Sequence, residues 1–258
     1  MLGKLGKRDD DRPTSRGALL IAVAVSVVVG VFVPFGGVLL YPFTLLATWV
    51  HEMGHGLTAL ALGGGFDRLE IFADASGLAH TQSSAGHVDA LVCLGGLVAP
   101  PIAGAVMLAT ARGPRRAQML IVGLGVALLA SLLIWVRSIA GFVAVPLVAA
   151  VLLVFAWWGS PRERMFLAQF IGLRLALDTM GRGMDYLFTD SVTIAGVKRA
   201  SDIARVAEGF GGPRFLWSGV VASVCITFVG IGLVAAWRPG VRSTDGSRRR
   251  RAAWGDLR

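Results

Sequence analysis

The sequence predicts an all-α polytopic membrane protein of about six or seven membrane helices, with a small β-hairpin after one of them. Three observations carry that prediction. Hydrophobic residues make up 55% of the chain and charged residues only 16%, where a soluble domain carries about a quarter charged. The apolar residues fall in blocks close to the roughly 20 residues a bilayer span requires. The formal net charge of +9 lies outside those blocks.

Taken in order, the first block covers residues 18–33 and stops at Pro34 and a Gly36-Gly37 turn. A basic stretch precedes it, as in a signal peptide, but the run is long and no small-x-small cleavage site follows, so it reads as a retained first helix. The second block, about 38–62, stops at Gly63-Gly64-Gly65, a strong helix terminator. Residues 66–82 alternate apolar with charged positions around an Asp74-Ala75-Ser76-Gly77 turn, the pattern of a short hairpin. The third block, 90–111, contains Pro100-Pro101, and the expectation is a broken or re-entrant helix there. Blocks at 119–136 and 139–158 follow, separated by Arg137 and Ser138, then 165–188 and 215–237. A short polar helix, 202–208, precedes the last block and is set off from it by 209–213.

Charge sets the expected orientation. Lys4, Lys7, Arg8, Arg12 and Arg16 crowd one end, and Arg248 to Arg251 the other. Basic flanks favour the cytoplasmic side and touch anionic lipid. No aromatic residues interleave the first cluster as a base-stacking surface would need, so nucleic acid is not an expected partner and the lipid bilayer is. Seven full crossings would separate the two basic ends, which is why the third block is expected not to cross. Trp157, Trp158, Trp217 and Trp237 stand at block ends, where interfacial anchors belong. Cys93 and Cys225 lie inside apolar blocks and read as buried small hydrophobes rather than a thiolate site.

The segment that carries chemistry is Thr48-Trp49-Val50-His51-Glu52-Met53-Gly54-His55. It holds HExxH inside an apolar helix. At i and i+4, His51 and His55 share a face and can reach one ion, while Glu52 can touch a water held there. Such side chains are costly in lipid, at roughly 2.5–3.5 kcal/mol for a charged one at mid-bilayer. A metal centre gives a reason to keep them. Zn2+ is the expected metal and Glu52 the expected general base. The other readings of the residues are a metal-binding protein without protease activity and a cation or proton transporter using His51, Glu52 and Asp178.

From residue 51 to 81 the chain reads HEMGHGLTALALGGGFDRLEIFADASGLAHT: HExxH, a glycine stop and a hairpin ending in Gly77-Leu78-Ala79-His80-Thr81. This stretch, with 87–104 and Ser201-Asp202-Ile203-Ala204-Arg205-Val206-Ala207, resembles the site-2 protease family of intramembrane zinc metalloproteases, in its shorter branch without a PDZ domain. The resemblance implies a zinc centre below the membrane surface and cleavage of a substrate's transmembrane helix. It also suggests a membrane-bound regulator, such as an anti-sigma factor, as substrate. The larger family takes its third ligand from a late Leu-Asp-Gly motif, which this chain lacks. Asp202 lies in the segment that resembles the short branch, and the resemblance favours it. Asp178 is the alternative, flanked by Arg174 and Arg182 at i−4 and i+4 as in an ion-paired stripe, with Asp185 behind it. His80 and His87 flank the hairpin exit and are further candidates for the site lining. Gly95-Gly96 suits close helix packing. The expected organisation is a basic cytoplasmic tail at 1–16, one membrane-embedded metalloprotease domain at 17–237, and a basic disordered tail at 238–258, in the cell membrane.

Overall fold

The computed structural model describes residues 15–83, 86–181 and 189–238. Helix α1 (Ser15–Val27) runs into a π-helical turn at Val28–Phe32, and α2 (Gly36–Ala61) follows after a short connection. Gly36 and Gly37 do not form the expected turn; they begin α2. A Cβ on Gly36 would sit 1.8 Å from the Val29 carbonyl oxygen, so a residue without one lets α2 start tight against the π turn. Gly63, at φ 81°, ends α2 in the left-handed region, which glycine enters at no steric cost.

Strands β1 (Gly65–Ile71) and β2 (Gly77–Gln82) pair antiparallel, with Leu69 opposite Ala79 and Ile71 opposite Gly77. The hairpin does not project past α2. It folds back along it: Tyr41 Oη donates to the Ala73 carbonyl and Thr48 Oγ1 to the Ala75 carbonyl, both at 2.7 Å. A hairpin beside a membrane helix must satisfy its backbone within the protein. The connection between the fourth and fifth helices does this for β1. The Leu69 N–H donates to the Trp135 carbonyl, and the Leu69 carbonyl accepts from the Arg137 N–H. Ser138 Oγ both accepts from Ile71 N–H at 2.9 Å and donates to the Ile71 carbonyl at 2.8 Å.

The remaining elements are α3 (His87–Thr110), α4 (Pro114–Ile134), α5 (Ile139–Trp158), α6 (Pro161–Gly181), the hairpin β3 (Ser191–Ile194) and β4 (Val197–Ala200), α7 (Asp202–Phe210) and α8 (Arg214–Trp237). Four of them, α3, α4, α5 and α8, are long and apolar enough to cross a membrane by composition. Helix α2 carries the HExxH polar residues and α6 several charges, which lowers their hydropathy. The apolar share facing outward is large: Leu133, Ile139, Val143, Trp158 and Phe215 are all exposed. Such a surface suits lipid rather than water. Helix α3 is the central one, with 56% of its most apolar stretch buried against 28% for α4, α5 and α8.

The expectation of a break at Pro100-Pro101 is corrected. Helix α3 is continuous through both prolines, which are themselves buried. Neighbours on several sides hold it: Gly104 lies against the Gly172 carbonyl of α6, and Ala105 against Gly232 of α8. Prolines are tolerated in membrane helices where neighbouring helices support the backbone. Arg16 Nε donates to the Trp237 carbonyl at 2.7 Å and its guanidinium lies 5.4 Å from the Trp237 ring centre. The first and last described helices thus meet at one end of the bundle.

Candidate metal centre

His51 and His55 stand one turn apart on α2, with ring centres 4.7 Å apart and planes at 89°. Asp202 is the first residue of α7 and comes from 147 positions beyond His55 in sequence. Its Oδ2 lies 3.1 Å from His51 Nε2 and 3.3 Å from His55 Nε2, and the two Nε2 atoms are 3.1 Å apart. Donors bound tetrahedrally to zinc at about 2.0–2.1 Å stand roughly 3.3–3.4 Å from one another. The three donor atoms thus span a triangle close to the size a zinc ion requires.

The protonation chemistry agrees. His55 Nδ1 lies 2.9 Å from the Val92 carbonyl oxygen, which can only accept, so Nδ1 carries the proton and a neutral His55 presents a bare Nε2 lone pair to the cluster. Orientation of a ligating imidazole by a carbonyl on its far nitrogen is the usual supporting arrangement at metal sites. Two imidazole nitrogens and a carboxylate oxygen converge on one point, as the ligands of a single cation would. His51, His55 and Asp202 form a group able to hold a metal ion.

Glu52, next to His51, is buried. Its Oε2 accepts from the Ala79 N–H at 2.7 Å. Ala79 lies opposite Leu69, whose N–H turns away to Trp135, so the outer edge of β2 faces the centre. Gly77 permits that approach: a Cβ there would lie 2.7 Å from both Glu52 Cγ and Thr48 Cγ2. Across the site, a Cβ on Gly96 of α3 would lie 2.1 Å from His55 Cε1, and one on Gly95 would lie 2.0 Å from Thr58 Oγ1. The Gly95-Gly96 pair thus does serve close packing, and the second glycine makes room for the His55 ring.

The centre opens into a cavity of about 530 Å³. Asp178 lines this cavity without joining the three-donor cluster. Asp185 and Arg182 lie outside the described residues. His80 hydrogen-bonds Glu70 at 2.8 Å on the hairpin, and His87 stacks on Phe210 at 5.5 Å; neither lines the cavity. Three features escaped the sequence reading. The β3–β4 hairpin brings Val192, Ile194 and Arg199 to the cavity wall; Ser191-Val192-Thr193-Ile194 before Ala195-Gly196 was its signal, since a β-branched run followed by a glycine turn suggests a hairpin. Ser138, which seals β1, and the Asp89–Arg205 ion pair had no local signal at all.

A helical membrane protein emerges, in which a buried HExxH helix and a distant aspartate bring together a group able to hold a metal ion. The chain belongs to the Peptidase M50B-like family, whose model matches residues 18–232. That match places it among membrane-embedded metallopeptidases and agrees with its resemblance to the site-2 proteases. Comparison with curated proteins and with solved structures gives no match.

Proposed function

We propose that this chain is an intramembrane zinc metalloendopeptidase of the site-2 protease type, with His51, His55 and Asp202 as metal ligands and Glu52 as general base. The observation that carries the reading is the triangle of donor atoms, 3.1 to 3.3 Å on each edge, beside a buried carboxylate. When bound in such a site, zinc acidifies water and polarises a carbonyl. Glu52 takes the water's proton and passes it to the leaving amine. The Ala79 N–H fixes the carboxylate through Oε2 and leaves Oε1 for that transfer.

A substrate helix hides its peptide bonds in its own hydrogen-bond ladder. An unwound stretch can pair instead with the outer-edge groups of β2 other than the Ala79 N–H, which Glu52 holds, because β1's outer edge is already occupied by the α4–α5 connection. The substrate is a membrane protein, with a membrane-bound regulator such as an anti-sigma factor as the type the resemblance suggests. The catalytic domain occupies 17–237 in the cell membrane, with the basic tails at 1–16 and 238–258 on the cytoplasmic side.

The test combines metal analysis with cleavage of a membrane-helix substrate by purified variants. Glu52→Gln is expected to keep zinc and lose cleavage. His55→Ala and Asp202→Ala are expected to lose zinc, and Asp178→Ala to retain it. Ala79→Pro removes the donor to Glu52, so it is expected to keep zinc and lose cleavage. Glu52→Gln cleaving at the parent rate would overturn the mechanism, and zinc held by Asp202→Ala but lost from Asp178→Ala would move the third ligand.

A further inference from the structure

The third donor sits on a helix of only nine residues, α7, so what holds α7 decides whether Asp202 reaches the site. Its apolar face is clear. Ile203 and Val206 are fully buried, and Ile203 packs with Leu97 of α3 and with Val221 and Cys225 of α8. Gly209 lies against the start of α3, where a Cβ would be 2.6 Å from the Gly86 carbonyl oxygen. Phe210 is stacked between His87 and Trp217. These contacts seat α7, and Ser201, bonded to the Asp190 and Thr189 carbonyls, anchors its first end. A charged contact further along the helix adds a directional constraint on its roll that apolar contact does not supply.

Roll is what matters to a ligand. A carboxylate about 6 Å from a helix axis moves roughly 2 Å for a roll of about 20°, while metal–ligand distances tolerate only about 0.2 Å. Asp202 and Arg205 are three positions apart and both line the cavity. Arg205 Nη2 meets Asp89 Oδ1 at 2.5 Å. Asp89 lies in the first turn of α3 and also accepts from Ser83 Oγ, at the exit of β2, at 3.1 Å. One turn further on, the same helix supplies the Val92 carbonyl that orients His55.

We propose that the Asp89–Arg205 ion pair is a latch that fixes the roll of α7 and so sets Asp202 in the metal site. Asp89 and Arg205 are positioning residues, acting through Asp202. The first two turns of α3 then orient two of the three ligands, one through a carbonyl and one through a salt bridge. This inference rests on the metal-site reading above.

The test is a double-mutant cycle on zinc affinity in detergent-purified full-length protein. Asp89→Asn, Arg205→Gln and the double variant are compared by chelator competition and by visible absorption of the cobalt-substituted site. Loss of a supporting partner at a metal site typically costs 10–100-fold in affinity. Each single variant is expected to weaken zinc binding by that range and to alter the cobalt spectrum. The double variant is expected to be no more than about twofold weaker than the weaker single, as for two residues acting as one unit. Arg205→Lys, which keeps the charge, is expected to recover most of the affinity with the parent's circular dichroism.

Single variants that bind zinc within twofold of the parent would overturn the latch. So would losses that multiply in the double variant, or Arg205→Lys binding as weakly as Arg205→Gln. The parent's zinc content is measured first. A parent without zinc defeats the metal-site reading itself, whereas a zinc-loaded parent matched by its variants defeats only the latch.

Discussion

At Gly96 a single hydrogen stands where any other residue would put a Cβ 2.1 Å from the His55 ring. One turn earlier on the same helix the Val92 carbonyl holds the ring at 2.9 Å, so moving the ring away from Gly96 also strains that hydrogen bond. Gly96→Ala therefore has to push either α3 or the imidazole out of place. The expected outcome is a 10–100-fold loss of zinc affinity, with helical content unchanged, read by chelator competition alongside circular dichroism. Affinity equal to the parent's would show that the ring position is not set by this contact. Gly77 bears the same relation to Glu52 from the hairpin side. The two glycines thus admit, from opposite elements, the His55 ring and the Glu52 carboxylate beside it.

At the scale of elements, the first hairpin depends on its borrowed edge. Ser138 Oγ serves both backbone groups of Ile71 and also accepts from Gly141 N–H at the start of α5. Ser138→Ala leaves a buried N–H and carbonyl without that partner, a change that costs about 1–3 kcal/mol where a group stays unsatisfied. The hairpin carrying Ala79 should loosen first. A lower thermal midpoint with zinc still bound, accompanied by reduced cleavage, is expected; an unchanged midpoint would mean that water or another group replaces the hydroxyl. The second hairpin, β3–β4, is tied differently: Ser201 N–H donates to the Asp190 carbonyl and Ser201 Oγ to the Thr189 carbonyl. Asp202 follows directly, so the base of that hairpin fixes one end of α7 and the α3 contact fixes the other.

For the whole molecule, the metal group joins α2 to α7, elements that the chain places far apart. Anything that binds only the folded state stabilises it by mass action, roughly 4 kcal/mol for free ligand at a thousandfold over its Kd. Removing the metal with a chelator should therefore lower the unfolding temperature in detergent as well as end cleavage, and readdition should restore both. In Asp202→Ala the chelator should have little effect on the unfolding temperature. A parent whose unfolding temperature ignores chelation would show that α7 docks without the metal's help. The packing supports cooperative loss, since α3 touches α2, α6, α7 and α8 and lies at the centre of the bundle.

Local patterns along the chain were enough for the helical blocks, the hairpin at 66–82 and the facing of His51 and His55. Each follows from a local rule: an apolar run of span length, alternation around a turn, and the 3.6-residue helical repeat. The sequence also brought Asp202 forward, through a resemblance and not through spacing. Only the tertiary structure decided that Pro100-Pro101 sits in an unbroken helix, because that depends on the helices packed around α3. Only it decided that Asp202 joins the two imidazoles while Asp178 stays on the cavity wall. The pairs Glu52 with Ala79, Ile71 with Ser138 and Asp89 with Arg205 join residues 27, 67 and 116 positions apart. No periodicity along a chain encodes such distances; folding alone brings those partners within hydrogen-bond reach.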